Sequence, residues 1–157
     1  MIFQQYQQVL DGNQSQTLQL VKSGDYGWAC GEERDASGLP VALIYSSVHC
    51  ATGKVRWERG KTYAVQPGSG QKAVGRIQIT NIRRGYIQDI SEEDAIAMGM
   101  TDTYFDGLPS YKNRIIPGHL CRAALADTWT IQHTKPGERY EDDPEVWILK
   151  FELVRET

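Results

Sequence analysis

The feature that most constrains this chain is the segment Val146-Trp-Ile-Leu-Lys-Phe-Glu-Leu-Val154. Trp147, Leu149, Phe151 and Leu153 recur at every second position, which is the side-chain period of a β-strand. One strand cannot bury such a stripe alone, so the rest of the chain has to supply partners. Residues 17–21 read as extended, 41–45 as a buried strand, 55–57 as a short strand and 62–66 as another. Residues 73–82 alternate, with Val74, Arg76, Gln78 and Thr80 on one face and Gly75, Ile77 and Ile79 on the other. Arg59-Gly60 and Pro67-Gly-Ser-Gly70 supply turns. Residues 23–40, rich in Gly, Ser, Asp and Glu, read as loop.

Three segments carry helical spacing instead. Phe3, Tyr6, Val9 and Leu10 share one face of a short helix that Asp11-Gly12-Asn13 stops, with Gly12 suited to a left-handed position after the last turn. Ser91-Glu-Glu-Asp94-Ala-Ile-Ala-Met98 begins like a capping box, carries its acids where the helix dipole favours them, and ends at Gly99. Residues 118–131 form a further helix with Leu120, Ala124, Leu125 and Trp129 on its inner face. Residues 101–117, which include Pro109 and Pro117, read as loop, and His133-Thr-Lys-Pro-Gly137 turns the chain. With no repeat and no linker, 157 residues make one α+β domain over 1–157, a barrel or curled sheet with two or three flanking helices.

A chain with 40% hydrophobic and 24% charged residues is globular, and no apolar run reaches the roughly 18 residues of a membrane span. The start lacks a basic region followed by an apolar one, so no signal peptide is expected. Cys30, Cys50 and Cys121 are odd in number and widely spaced, which fits reduced thiols in a cytoplasmic protein. The net charge of −3 is uneven. Between residues 54 and 84, Lys54, Arg56, Arg59, Lys61, Lys72, Arg76, Arg83 and Arg84 face only Glu58, a local balance of +7. An acidic chain with one basic stretch is not a general nucleic-acid coat, but the stretch allows one anion-attracting face, for which Lys61, Lys72 and Arg76 are the candidates.

Local motifs for chemistry are weak. Gly68-Ser-Gly70-Gln-Lys72 joins two strands, and no Ser or Thr follows Lys72, so it is a hairpin turn and not a phosphate loop. His49-Cys50 and the His119, Cys121, His133 group match no zinc spacing, and the expectation is no metal and no cofactor. Asp89, Glu92, Glu93 and Asp94 are explained by their place at a helix start, and Glu141-Asp-Asp143 by a solvated turn.

The order of several segments then becomes informative. Asp11-Gly12, Gln16-Thr17 and Leu20 are followed by Arg59-Gly-Lys-Thr-Tyr-Ala-Val-Gln-Pro-Gly68 and Gly75-Arg76-Ile77. Asp89-Ile-Ser-Glu-Glu-Asp-Ala95, Lys135-Pro-Gly-Glu-Arg139 and Pro144-Glu-Val-Trp-Ile-Leu149 come next. In this order they resemble ASCH-family proteins, in the longer form found in bacteria and phages. The resemblance implies a PUA-like mixed β-barrel whose cleft binds RNA, a nucleotide or a modified nucleoside. It also implies, for some members, hydrolysis of an acetylated cytidine or of RNA.

The family's first signature resembles G-x-K-T-x-T-x-R, where this chain has Gly12-Asn-Gln14-Ser15-Gln16-Thr17-Leu18-Gln19. Gln14 stands where the family Lys is expected, Ser15 replaces a Thr, Thr17 matches, and Leu18 and Gln19 stand where Arg is usual. Met98 precedes Gly99 where the family has Glu. A threonine hydroxyl needs a base to activate it; Gln14 takes no proton near neutrality and Met98 offers only a weak acceptor. The expected cleft of Gln14, Ser15, Thr17, Gln19 and Met98 is therefore neutral and amide-rich, without a catalytic set. The resulting reading is a binding domain for RNA or a nucleotide-like small molecule, with no membrane partner. A hydrolase, either residual around Thr17 or built on a new Cys–His or Ser–His pair, is the second reading. A family scaffold with a deliberately rebuilt pocket and no natural role is the third.

Overall fold

The structure, a computed structural model, describes residues 1–3 and 5–155. Gln4, inside the expected first helix, and the last two residues of the expected domain lie outside the described residues. The elements run α1 (Tyr6–Leu10), β1 (Gln16–Leu20), β2 (Tyr26–Arg34), β3 (Pro40–His49), β4 (Val55–Glu58), β5 (Thr62–Val65) and β6 (Gly75–Tyr86). They continue with α2 (Glu92–Ala97), α3 (Pro109–Lys112), α4 (Leu120–Gln132) and β7 (Glu145–Leu153).

Strand pairing among the described residues forms two antiparallel sheets, a four-stranded one in the order β1-β7-β6-β5 and a three-stranded one in the order β2-β3-β4. This is the α+β architecture expected, but the ladders are antiparallel and do not close into one mixed barrel; among the described residues the one parallel contact is the bridge Ile2–Gln66. β7 lies inside its sheet with cover on both faces. Trp147 and Leu149 pack with Ile79 and Ile82 of the neighbouring β6 and with Val48 and Trp57 of the second sheet, while Val146 and Ile148 pack under α2 and α4 with Ala95, Met98, Leu125 and Trp129. Its alternation thus continues over two cores, not one core and solvent, until Lys150 and Glu152 reach water.

Two expectations for the second sheet fail. Residues 23–40 are not all loop, because β2 runs through them and pairs with β3 from Tyr26–His49 to Arg34–Pro40. Its glycines and charges show no burial period because most of the strand is exposed, and backbone hydrogen bonds hold it instead. The expected buried strand at 41–45 is a strand but not a buried one: Val41 is 60% and Leu43 51% exposed. Within 101–117, Pro109 opens the single turn of α3.

The helix starts follow the sequence closely. Ser91 Oγ accepts the Asp94 N–H at 3.0 Å, and Gly99 ends the segment at φ +89°. Glu92 does more than satisfy its own helix. Its carboxylate accepts the backbone N–H groups of Cys121 and Arg122 at 3.1 and 2.8 Å, capping the start of α4 and tying α2 to α4. Among the described residues no helix is long and apolar enough to cross a membrane.

Candidate functional site

A cleft of about 320 Å³ opens where β1, the edge strand of the four-stranded sheet, meets the end of α2 and the last turns of α4. Gln14, Thr17, Gln19 and Met98 all line it. Ser15 does not; its backbone N–H donates to Ala97 O at 2.8 Å and so holds the strand entry to the end of α2. The close docking explains Gly99. A Cβ there would sit 2.2 Å from Gln8 Oε1, and Gln8 Nε2 donates to Gly99 O at 3.2 Å.

The cleft is polar on the strand side and apolar beneath. Gln14 Nε2 donates to Gln16 O at 3.1 Å, which turns its amide along β1. The side chains of Thr17 and Gln19 have no hydrogen-bond partner among the described residues. An edge strand also offers backbone N–H and C=O groups that no neighbouring strand takes up. Leu18, Met98, Met100, Leu125 and Trp129 form the apolar wall. Met98 is itself a core residue packed with Leu18 and Trp129, so it contributes volume and not charge.

Gln16 and Asp94 brace the strand from behind. The Gln16 side chain, 3% exposed, donates to Asp94 Oδ1 at 3.1 Å, and Arg83 pairs with the same oxygen at 2.9 Å. Burial alone would push the Asp94 carboxyl up. The Gln16 amide, the Arg83 guanidinium and Ser91 outweigh that and hold it below the usual carboxylate range.

Sequence reasoning missed one residue group. Trp129 and His133, one helical turn apart, stack at 3.7 Å between centroids and 14° between planes, and both line the cleft. His133 Nδ1 lies 3.3 Å from Trp129 O, so that nitrogen carries the proton it donates, and in the neutral ring Nε2 keeps its lone pair. The cleft therefore holds an imidazole. The i, i+4 spacing of Trp129 and His133 was the available signal. His133 also lines an adjoining cavity of about 330 Å³ with Thr130, Arg139 and Tyr140.

The remaining candidates lie outside the cleft lining. Lys61 pairs with Glu58 at 3.0 Å, Arg76 donates to Thr62 Oγ1 at 2.9 Å, and Lys72 sits exposed in the turn after Gly70. Of the eight cations in residues 54–84, Arg56 pairs with Asp25, Arg83 with Asp94 and Arg84 with Glu145, acids contributed by other parts of the chain. Neighbours in sequence also part company. His49 bonds Ser47, while Cys50 bonds Thr52. Cys121 is buried, and burial with Glu92 beside it pushes its thiol up to about 11. No three of the described His, Cys, Asp and Glu residues group so as to hold a metal ion.

No protein-family model matches the chain, and no curated protein matches it. Two of the solved structures to which it is similar are as follows. An ASCH domain from Lactobacillus crispatus JV V101 is 15% identical, covering 94% of this chain and 68% of that one, with a TM-score of 0.49. The protein EF3133 from Enterococcus faecalis V583, of family-model DUF984, is also 15% identical, covering 94% of this chain and 65% of that one, with a TM-score of 0.51. The chain shares the fold of EF3133. At this identity the likeness extends to the fold alone, and the chain spans about two thirds of the length of these proteins.

Proposed function

We propose that the chain binds a nucleoside-type ligand, free or within RNA, in the PUA-like cleft between β1, α2 and α4. The observation that carries this reading is the pairing, in one cavity, of the stacked Trp129–His133 rings with the side chains of Gln14, Thr17 and Gln19. Planar rings favour a planar ligand, and amide and hydroxyl groups read the donor and acceptor edge of a base. A volume of about 320 Å³ lies at the small end of ligand sites, which suits one nucleoside and not a long chain.

Hydrolysis finds less support. Gln14 and Met98 supply neither base nor carboxylate to Thr17, and among the described lining residues the His133 imidazole is the one acid–base side chain. The expected outcome is no turnover of N4-acetylcytidine. Adding Gln14→Lys with Met98→Glu would supply both groups, although a carboxylate at position 98 would stand at the end of α2, where the dipole disfavours it, and within the core. Calorimetric titration with cytidine, uridine, adenosine and N4-acetylcytidine tests the binding reading. Binding of at least one nucleoside that Gln19→Ala weakens supports it; no heat with any of them, at concentrations up to millimolar, overturns it.

A further inference from the structure

The outer face of the three-stranded sheet carries aromatic rings that serve no core. In β2, Tyr26 and Trp28 are 41% and 61% exposed, although such rings usually bury their area. They stand at i and i+2 on one face, about 7 Å apart along the strand. Their cross-strand partners continue two rows: Tyr26 opposite His49 opposite Val55, and Trp28 opposite Ser47 opposite Glu58. His49 lies parallel to Tyr26, with centroids 5.1 Å apart and 8° between planes, and Trp28 is tilted beside it at 6.2 Å.

The His49 ring is held at both nitrogens. Nδ1 lies 3.3 Å from Gly53 O, so it donates there, and Nε2 lies 2.9 Å from Ser47 Oγ. A ring fixed this way loses little freedom when another ring lies against it. The opposite face of these strands is the packed one: Val48 and Trp57 are buried with Ile79 and Trp147, so the backbone beneath the outer rings is rigid.

The charge around the rings is positive. Lys54 lies in the turn before Val55, at the end of the Tyr26–His49 row, and Arg59 follows Glu58 at the end of the Trp28 row, its Nε donating to Thr80 O at 2.9 Å and its Nη1 3.7 Å from Cys30 Sγ. The one acid in the two rows, Glu58, is paired with Lys61. Beyond them Glu32 is paired with Arg34. Exposed rings on a sheet with a cation at the β4 end of each row are the arrangement on which unpaired bases stack while phosphates find the cations.

We propose that this face, outside the cleft, is a stacking platform for unpaired bases of a single-stranded nucleic acid, with Trp28 and Tyr26 as the stacking rings and Lys54 and Arg59 as the phosphate contacts. The choice of polymer rests on the nucleoside reading of the cleft. The platform offers nothing that distinguishes a 2′-hydroxyl, so RNA and DNA strands bind alike.

Fluorescence anisotropy with labelled oligouridylate and oligothymidylate at low salt tests it. The unmodified chain is expected to bind both, with a log–log salt slope of about −0.7 per phosphate contact. Trp28→Ala should weaken binding by about tenfold, as loss of one base stack does, and Tyr26→Ala added to it should weaken it further. Ser47→Ala, which frees His49 Nε2, should cost less. Trp28 is largely exposed, so its variant keeps the fold, which circular dichroism checks. Failure to bind either strand, or equal binding by the aromatic variants, overturns the platform. So does loss of strand binding confined to Gln19→Ala, which would place the strand in the cleft alone. Self-association that Trp28→Ala abolishes, without strand binding, would show that a second copy covers the face. Free-nucleoside binding separates the two readings: its absence overturns the cleft, and a Trp28→Ala effect on the strand upholds the platform regardless.

Discussion

The two sheets use their strands in opposite ways. In the four-stranded sheet, β7 is covered on both faces, and Trp147, Leu149 and Phe151 lie at or near zero exposure. In the three-stranded sheet only one face is packed, and only near β4, so that β2 and β3 run out past the core with Val41 and Leu43 in water. The first sheet is held by burial, which leaves a period in the sequence. Backbone pairing holds the far end of the second, and pairing leaves almost none. Surface that is not spent on packing is free for other work, and the exposed rings of Tyr26 and Trp28 lie there.

The largest expected difference between the sheets is at their tryptophans. Trp147→Ala removes a fully buried ring that also donates from Nε1 to Asp25 at 3.2 Å, and should cost about 3–5 kcal/mol in chemical denaturation. A cost under about 1 kcal/mol would mean that β7 is not the shared wall of two cores.

The polar link between the sheets comes next. Asp94 takes Gln16 from β1 and Arg83 from β6, and Arg83 also approaches Glu33 of β2 at 3.9 Å. Asp94→Asn should cost about 1.5–3 kcal/mol at neutral pH, the range for hydrogen bonds to a charged group. The sign with pH is set by the lowered carboxyl. Its contribution is complete above the unfolded value of about 4 and is lost as pH falls through the lower folded value. The variant should therefore flatten the acid limb of the melting temperature; an unchanged limb would show that other carboxylates set it.

Two glycines of β2 divide the second sheet itself. A Cβ at Gly27 would lie 2.4 Å from Tyr45 Cδ1 on the packed face, whereas one at Gly31 would meet nothing within 4 Å. Gly27→Ala should destabilise by about 1–3 kcal/mol. Gly31→Ala should change stability by less than about 0.5 kcal/mol, as surface changes do. Equal costs would erase the distinction between the packed and projecting ends.

Smallest of all is Trp28→Ala, which should move stability by less than about 0.5 kcal/mol despite removing the same side chain as Trp147→Ala. A large loss would show that the outer rings brace the sheet and are not spare.

By itself the sequence determined those parts whose physics is local. The alternation of 146–154 identified β7, Ile77 and Ile79 identified the inner face of β6, and Ser91 with Asp94 and Gly99 marked both ends of α2. In each, the side chains that carry the pattern also make the contact. Gln14, Thr17, Gln19 and Met98 line one cleft, which the order of their segments led one to expect and no spacing among them required. Tertiary structure alone decided the rest. β2 exists because β3 offers it a backbone edge, a partner that no side-chain period records. Trp129 and His133 reach the cleft because Glu92 anchors the start of α4 beside α2. The +7 stretch is no single patch, because Asp25, Asp94 and Glu145 come from distant segments to pair with it. Coulomb attraction and hydrogen bonding act across a few ångströms of space, and the fold determines which residues those few ångströms join.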